Sequence, residues 1–136
     1  MIWLIGIRKN VDIEIREKFS ITNKRQVIAL KEMKKLFEEV VIISTCNRTE
    51  IYFSGVFNSE KQLKEVFEIL GWDFSLREYI FISENNEVCK HLFQVICGFH
   101  SRILGEDQIL GQIKEAYELS LKEKTVDSIL LRLFQE

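Results

Sequence analysis

The sequence predicts an α+β fold, and three observations predict it. Val40-Val41-Ile42-Ile43 and Ile51-Tyr52-Phe53 are short β-branched and aromatic runs on either side of a polar turn, the pattern of paired strands. Ile2 to Ile7 and Tyr79 to Ile82 are apolar runs of the same kind. Between these lie two stretches with apolar residues at helical spacing. The order strand, helix, strand, strand, helix, strand is that of a split βαβ, ferredoxin-like sandwich, an antiparallel sheet with helices on one face. Helical patterns beyond Ser83 predict a C-terminal helical extension.

Each element has a local cause. Ile2 to Ile7 reads as a buried strand, closed by Arg8-Lys9. Asp12 stands where an N-cap belongs, before a short helix over Ile13 to Lys18. Thr22 opens a longer helix to about Glu38, with Val27, Leu30, Met33, Lys34 and Phe37 at helical spacing and Lys31, Glu32 and Lys35 on a solvated face. The strand Val40 to Ser44, the turn and the strand Glu50 to Val56 follow. Asn58-Ser59 is a start signal for a helix over Glu60 to Leu70, and Gly71 is a stop signal. Ser83 or Asn85-Asn86 caps a helix over Glu87 to Cys97 with the apolar stripe Val88, Leu92, Val95, Ile96 and Phe99. Gly98 ends it, and Gly105 permits a further bend. Glu106-Asp107 opens a helix to about Lys124, with Ile109, Ile113, Ala116, Tyr117 and Ser120 on one face. A polar break over Lys122 to Ser128 separates it from a helical start at Ile129 to Phe134.

A chain of 136 residues with 46% hydrophobic and 29% charged residues has the size and composition of one soluble domain. Its net charge of −2 gives no basis for strong nonspecific binding to nucleic acid. Cys46, Cys89 and Cys97 are an odd set without metal-ligand spacing, and reduced thiols in the cytoplasm are the expectation. The apolar start Met1 to Gly6 is shorter than a signal peptide, and nothing in the sequence predicts a membrane span.

The chemistry concentrates in Ser44-Thr45-Cys46-Asn47-Arg48-Thr49-Glu50. A thiol at a strand end is fixed by a rigid scaffold, and a nearby guanidinium favours the nucleophilic thiolate. That guanidinium also suits a carboxylate, which it can hold by two parallel hydrogen bonds. Cys46 therefore reads either as a nucleophile beside a carboxylate clamp or as a small packed side chain. His91 falls at the edge of the apolar stripe of its helix, where a histidine can be a hydrogen-bonded core residue or a catalyst. Glu106 and Asp107 complement the dipole of the helix they open, and Gln108 and Gln112 project one turn apart. By residue chemistry alone these residues are a cap and a solvated face.

The run STCNRTEIY resembles the signature of the glutamyl-tRNA reductases. A second block resembles the same family: His91-Leu92-Phe93, then Gly98-Phe99-His100-Ser101-Arg102-Ile103-Leu104-Gly105-Glu106-Asp107-Gln108-Ile109-Leu110-Gly111-Gln112-Ile113-Lys114. The resemblance implies NADPH-dependent reduction of glutamyl-tRNA to glutamate-1-semialdehyde for tetrapyrrole and haem synthesis. It implies Cys46 as the thioester-forming nucleophile and His91 as its helper. It implies a glutamyl pocket of Thr45, Asn47, Arg48, Ser101, Glu106, Asp107, Gln108 and Gln112. The family's His-Lys-Thr-Ala-Pro run is replaced here by Arg8-Lys9-Asn10-Val11-Asp12, and its usual Asp by His100. The six glycines form no dinucleotide-binding fingerprint. Residues 1–136 thus read as the N-terminal catalytic domain, with the NADPH-binding and dimerisation domains expected outside it. Glutamyl-tRNA, a second copy of the full-length enzyme and the semialdehyde aminomutase are the partners implied. A cysteine-dependent hydrolase or acyltransferase, and a noncatalytic ferredoxin-like binding domain, are the competing readings.

Overall fold

The computed structural model describes residues 1–45, 48–96 and 106–122, with side chains for all of these except 93–96 and 106–113. Strands β1 (Ile2–Ile7), β2 (Glu39–Ser44), β3 (Thr49–Ser54) and β4 (Ile80–Glu84) form one sheet in the order β2-β3-β1-β4. Every neighbouring pair is antiparallel. The register sets Ile42, Ile51, Ile5 and Ile82 in one row across the sheet. In the next row lie Ile43, Glu50, Gly6 and Phe81, whose side chains point to the other face because successive residues alternate.

Helix α1 (Ile13–Glu17) follows β1, α2 (Asn23–Lys34) precedes β2, and α3 (Glu60–Leu70) lies between β3 and β4. Leu30 and Met33 of α2, and Val66, Phe67 and Leu70 of α3, pack with Ile5, Ile42, Ile51 and Phe53 in the larger core. Full burial of such a side chain contributes roughly 1.5–3 kcal/mol. Phe37, Phe53 and Phe57 meet there with ring centroids 4.4–5.9 Å apart. Helices α4 (Asn86–Ile96) and α5 (Glu106–Lys122) cover the opposite face, where Val88, Leu92 and Ala116 pack on Leu4, Val41, Ile43 and Tyr52. The sheet is therefore sandwiched, not covered on one face as the sequence reading had it. A strand apolar on both faces, as β2 is, requires a layer on each side.

Two helix starts carry the expected capping bonds, and one does not. The Thr22 hydroxyl accepts the Arg25 N–H at 3.1 Å, and the Ser59 hydroxyl accepts that of Gln62 at 3.2 Å. Asp12 occupies the N-cap position of α1 without a side-chain capping bond. Gly71 ends α3 at φ 77°, a left-handed conformation that glycine adopts without steric cost. Helix α2 stops at Lys34, short of the expected Glu38, and its buried face is Gln26, Ala29, Leu30 and Met33, with Lys34 exposed. Gln26 is buried because its side-chain amide donates to the Ile42 carbonyl at 2.7 Å. A 3-10 helix over Phe74–Tyr79, unanticipated in the sequence reading, absorbs Tyr79 and delays β4 to Ile80. Asn85, at φ 50°, turns the chain from β4 into α4. No helix among the described residues is long and apolar enough to cross a membrane. The expected features at Gly98, Gly105 and Ile129 to Phe134 lie outside the described residues.

The two caps give a direct test. Thr22→Ala should cost about 1 kcal/mol in urea unfolding, as loss of a capping bond does, whereas Asp12→Ala should be nearly neutral.

Candidate functional site

The hairpin between β2 and β3 holds the signature residues, and its base is well tied. Thr45 N–H donates to the Arg48 carbonyl at 2.8 Å, and the Arg48 N–H donates to Thr45 Oγ1 at 3.1 Å. Just before it, Ser44 Oγ accepts the Ile21 N–H at 3.2 Å and lies 3.5 Å from Thr49 Oγ1. Five residues thus fix where the loop leaves the sheet. Cys46 and Asn47, the residues between Thr45 and Arg48, lie outside the described residues.

From this hairpin β3 runs into the middle of the sheet. Its pleat turns Glu50 and Tyr52 to the face covered by α4. The Glu50 side chain is 4% exposed. Tyr52, fully buried, donates its hydroxyl to Glu50 Oε1 at 3.2 Å. Arg48 Nη1 lies 3.7 Å from Glu50 Oε2. Helix α4 supplies the last partner, since His91 Nε2 is paired with the same Oε2. Val88 and Leu92, both buried, hold this part of α4 against the sheet, and His91 points down between them. Its ring also packs on Phe81, centroids 5.4 Å apart. Phe81 in turn lies over Gly6, where an added Cβ would come within 2.5 Å of the ring. A glycine at that place in β1 leaves room for the ring that supports His91.

The electrostatics follow from burial. A carboxylate removed from water is costly unless paired and hydrogen-bonded, and Glu50 has a cation, a phenol and an imidazole around it. Burial pushes the Tyr52 phenol well above its ordinary value, and the charge of Glu50 and its hydrogen bond push the same way, while Arg48 pulls it down. Arg48 Nε is buried and without a hydrogen-bond partner. An unmet guanidinium donor is costly in place and suits an incoming anion.

The structure therefore brings Thr45, Arg48 and His91 to one end of the sheet. Glu106, Asp107, Gln108 and Gln112 lie on α5, whose later residues pack against β2 and α4. The side chains of these four lie outside the described residues, and so do Ser101 and His100. Glu50 and Tyr52 went unrecognised as site residues although they stand in the signature. The signal was present: a glutamate and a tyrosine two apart in a strand share one face. Among the described residues no group of His, Cys, Asp and Glu has the geometry of a metal site.

Comparison with known proteins adds the family. The family model described as glutamyl-tRNAGlu reductase, N-terminal domain, matches residues 5–136. A glutamyl-tRNA reductase of Clostridium beijerinckii is 54% identical over 136 residues, covering 100% of this chain and 34% of that protein. Another, of Clostridium perfringens strain 13, is 44% identical over 137 residues, with coverages of 99% and 34%. The solved glutamyl-tRNA reductase of Methanopyrus kandleri superimposes with a TM-score of 0.76 at 25% identity, over 98% of this chain and 31% of that one. The chain spans about a third of the length of the curated relatives it matches.

One titration tests the buried cluster. The folded Tyr52 phenol titrates above the unfolded value of about 10.0, so its contribution to stability is complete below that pH and is lost as pH rises through the folded value. Tyr52→Phe should flatten this alkaline loss in urea unfolding measured across pH. At neutral pH it should cost about 1–3 kcal/mol, because Glu50 then lacks a donor.

Proposed function

Because the chain belongs to the family of glutamyl-tRNA reductase N-terminal domains, we propose that it is the acyl-transfer part of a reductase that converts glutamyl-tRNA to glutamate-1-semialdehyde for tetrapyrrole synthesis. The observation that carries this reading is the position of Arg48. It closes the hairpin that contains Cys46 and brings a buried, partnerless Nε to the place where β3 meets His91.

In this reading Cys46 attacks the α-carbonyl of the glutamyl ester. The new bond joins sulfur to the acyl carbon, and the bond to the ribose oxygen of the tRNA breaks. His91 takes the thiol proton and returns it to the departing ribose hydroxyl. General acid–base help of this kind contributes about two to four powers of ten in rate. The thioester gives up its acyl carbon to a hydride more readily than an oxyester, which is the reason for a covalent step. Arg48 binds the side-chain carboxylate of the glutamyl group, and a paired guanidinium rejects the neutral amide of glutamine. Thr45 shapes the loop, and Asn47, Ser101, Glu106, Asp107, Gln108 and Gln112 complete the glutamyl pocket.

NADPH supplies the hydride when bound. Among the described residues no turn suits it, because β1 runs into Arg8-Lys9-Asn10 and α1 without a glycine-rich turn for a pyrophosphate. We assign the cofactor, and a homodimer contact, to further parts of a longer cytoplasmic enzyme, and the semialdehyde aminomutase to its onward partner. The strand order β2-β3-β1-β4 supports a split βαβ, ferredoxin-like ancestry for residues 1–84.

The test is acylation of the full-length enzyme by glutamyl-tRNA labelled in the glutamyl group, quenched in acid. A labelled adduct is expected with the wild-type protein and none with Cys46→Ser. Arg48→Lys should lower acylation about tenfold or more through loss of its charged hydrogen bonds. Release of acid from simple esters without tRNA, or an adduct that survives in Cys46→Ser, would overturn the assignment.

A further inference from the structure

The acyl-transfer reading uses Cys46, Arg48 and His91 and leaves Glu50 without a task. Yet Glu50 is the residue on which the described site converges. Its carboxylate is 4% exposed, lies 3.7 Å from Arg48 Nη1, accepts from the Tyr52 hydroxyl at 3.2 Å and is paired with His91 Nε2. A glutamate that only filled space among Tyr52, Val88 and Leu92 would be a costly filler, since an apolar side chain of similar volume does the same at no desolvation cost.

We infer that Glu50 is a positioning residue that accepts the Nε2–H of His91, so that the ring presents Nδ1 as its basic nitrogen to the acyl-transfer step. The chemistry of the partners fixes the direction. An ionised carboxylate only accepts hydrogen bonds, and a guanidinium and a donating phenol are the neighbours such a carboxylate takes. The ring nitrogen facing it must therefore carry the hydrogen. A neutral imidazole has a single N–H, which leaves the lone pair on Nδ1. When Nδ1 takes the thiol proton, the ring becomes a cation whose Nε2–H already rests on a negative charge, and the proton then passes to the departing oxygen. This is the relation of a base to the group that orients it.

The arrangement has a second consequence. Arg48 and His91 meet the same oxygen, Oε2. One carboxylate thereby sets the spacing between the carboxylate clamp and the base. Phe81, lying over Gly6, packs against the same ring.

The role of Nδ1 in acyl transfer rests on the function proposed above. The protonation of the ring does not, so the two are tested apart. In the 15N-labelled full-length enzyme, the ring signals of His91 are assigned by their loss in His91→Asn. They are followed with rising pH until the ring is neutral. The expected spectrum has Nε2 protonated and Nδ1 bearing the lone pair. Glu50→Gln keeps both shape and the accepting oxygen, and should keep that tautomer and stay within about tenfold of the wild-type acylation rate. Glu50→Met keeps the volume and removes the acceptor. It should release the tautomer and lower kcat for acylation by about a hundredfold with little change in KM. A neutral wild-type ring protonated at Nδ1 would overturn the inference. So would a folded Glu50→Met with an unchanged ring spectrum and rate. Should Glu50→Met not fold, the wild-type and Glu50→Gln spectra decide the matter alone. Failure of Cys46 to acylate, with the ring spectrum as expected, would remove the acyl-transfer reading and leave the Glu50–His91 pair standing.

Discussion

A carboxylate buried between a sheet and a helix is the constraint on which the rest of this structure depends. Glu50 sits on β3, an interior strand of the sheet, and its charge has been taken out of water. Leaving it unpaired would cost several kcal/mol, so its surroundings must supply donors. They come from three directions: the hairpin gives Arg48, the strand itself gives Tyr52, and α4 gives His91. Each donor is delivered by a different part of the fold. The hairpin must close at Thr45 and Arg48, the strand must keep its pleat, and α4 must lie across the sheet with Val88 and Leu92 inward. Misplacement of any one of them leaves the charge exposed to the core.

The two faces of the sheet divide the labour accordingly. One carries the larger apolar core under α2 and α3, rich in aromatic edge-to-face contacts, with no ionised group among its buried cluster residues. The other, under α4 and α5, is thinner and holds the polar cluster at one end of β3 and the buried pair of Glu39 and Ser54 at the other. The larger apolar cluster lies on the first face, and the buried polar groups of β3 lie on the second. That separation lets Glu50 and His91 depart from an apolar pattern without interrupting the larger core.

Much of this was legible in the sequence. The strands at Ile2 to Ile7 and Val40 to Ser44 announce themselves by β-branched runs, and α3 by Ser59 at its start and Gly71 at its end. The placement of α4 and α5 on the second face was not read, although the unbroken apolar run of β2 signals a strand covered on both sides. Gln26 was not legible, because a buried glutamine depends on a carbonyl 16 residues away in sequence. The early end of α2 and the 3-10 helix before β4 follow from tertiary packing, which overrides local helical spacing. At the site, Arg48 could be singled out by residue type, and His91 only by the resemblance of its block to the family. That they share Glu50 could not, since the pairing spans 41 residues and is created only when α4 folds back over the sheet.

The ladder positions of the site residues also set their tempo. Glu50 and Tyr52 belong to a strand paired on both sides, with β2 and with β1, so their backbone can open only when the sheet itself comes apart. His91 arrives on a helix with no ladder to the sheet, seated by the side chains of Val88 and Leu92. The same cluster thus joins a backbone tied by two ladders to one seated by side-chain packing alone. Amide exchange at Glu50 and Tyr52 reports the survival of the whole domain, whereas exchange along α4 reports how often the site opens. In this fold Glu50 is held by the strand ladder, while His91 is held by the packing of its helix.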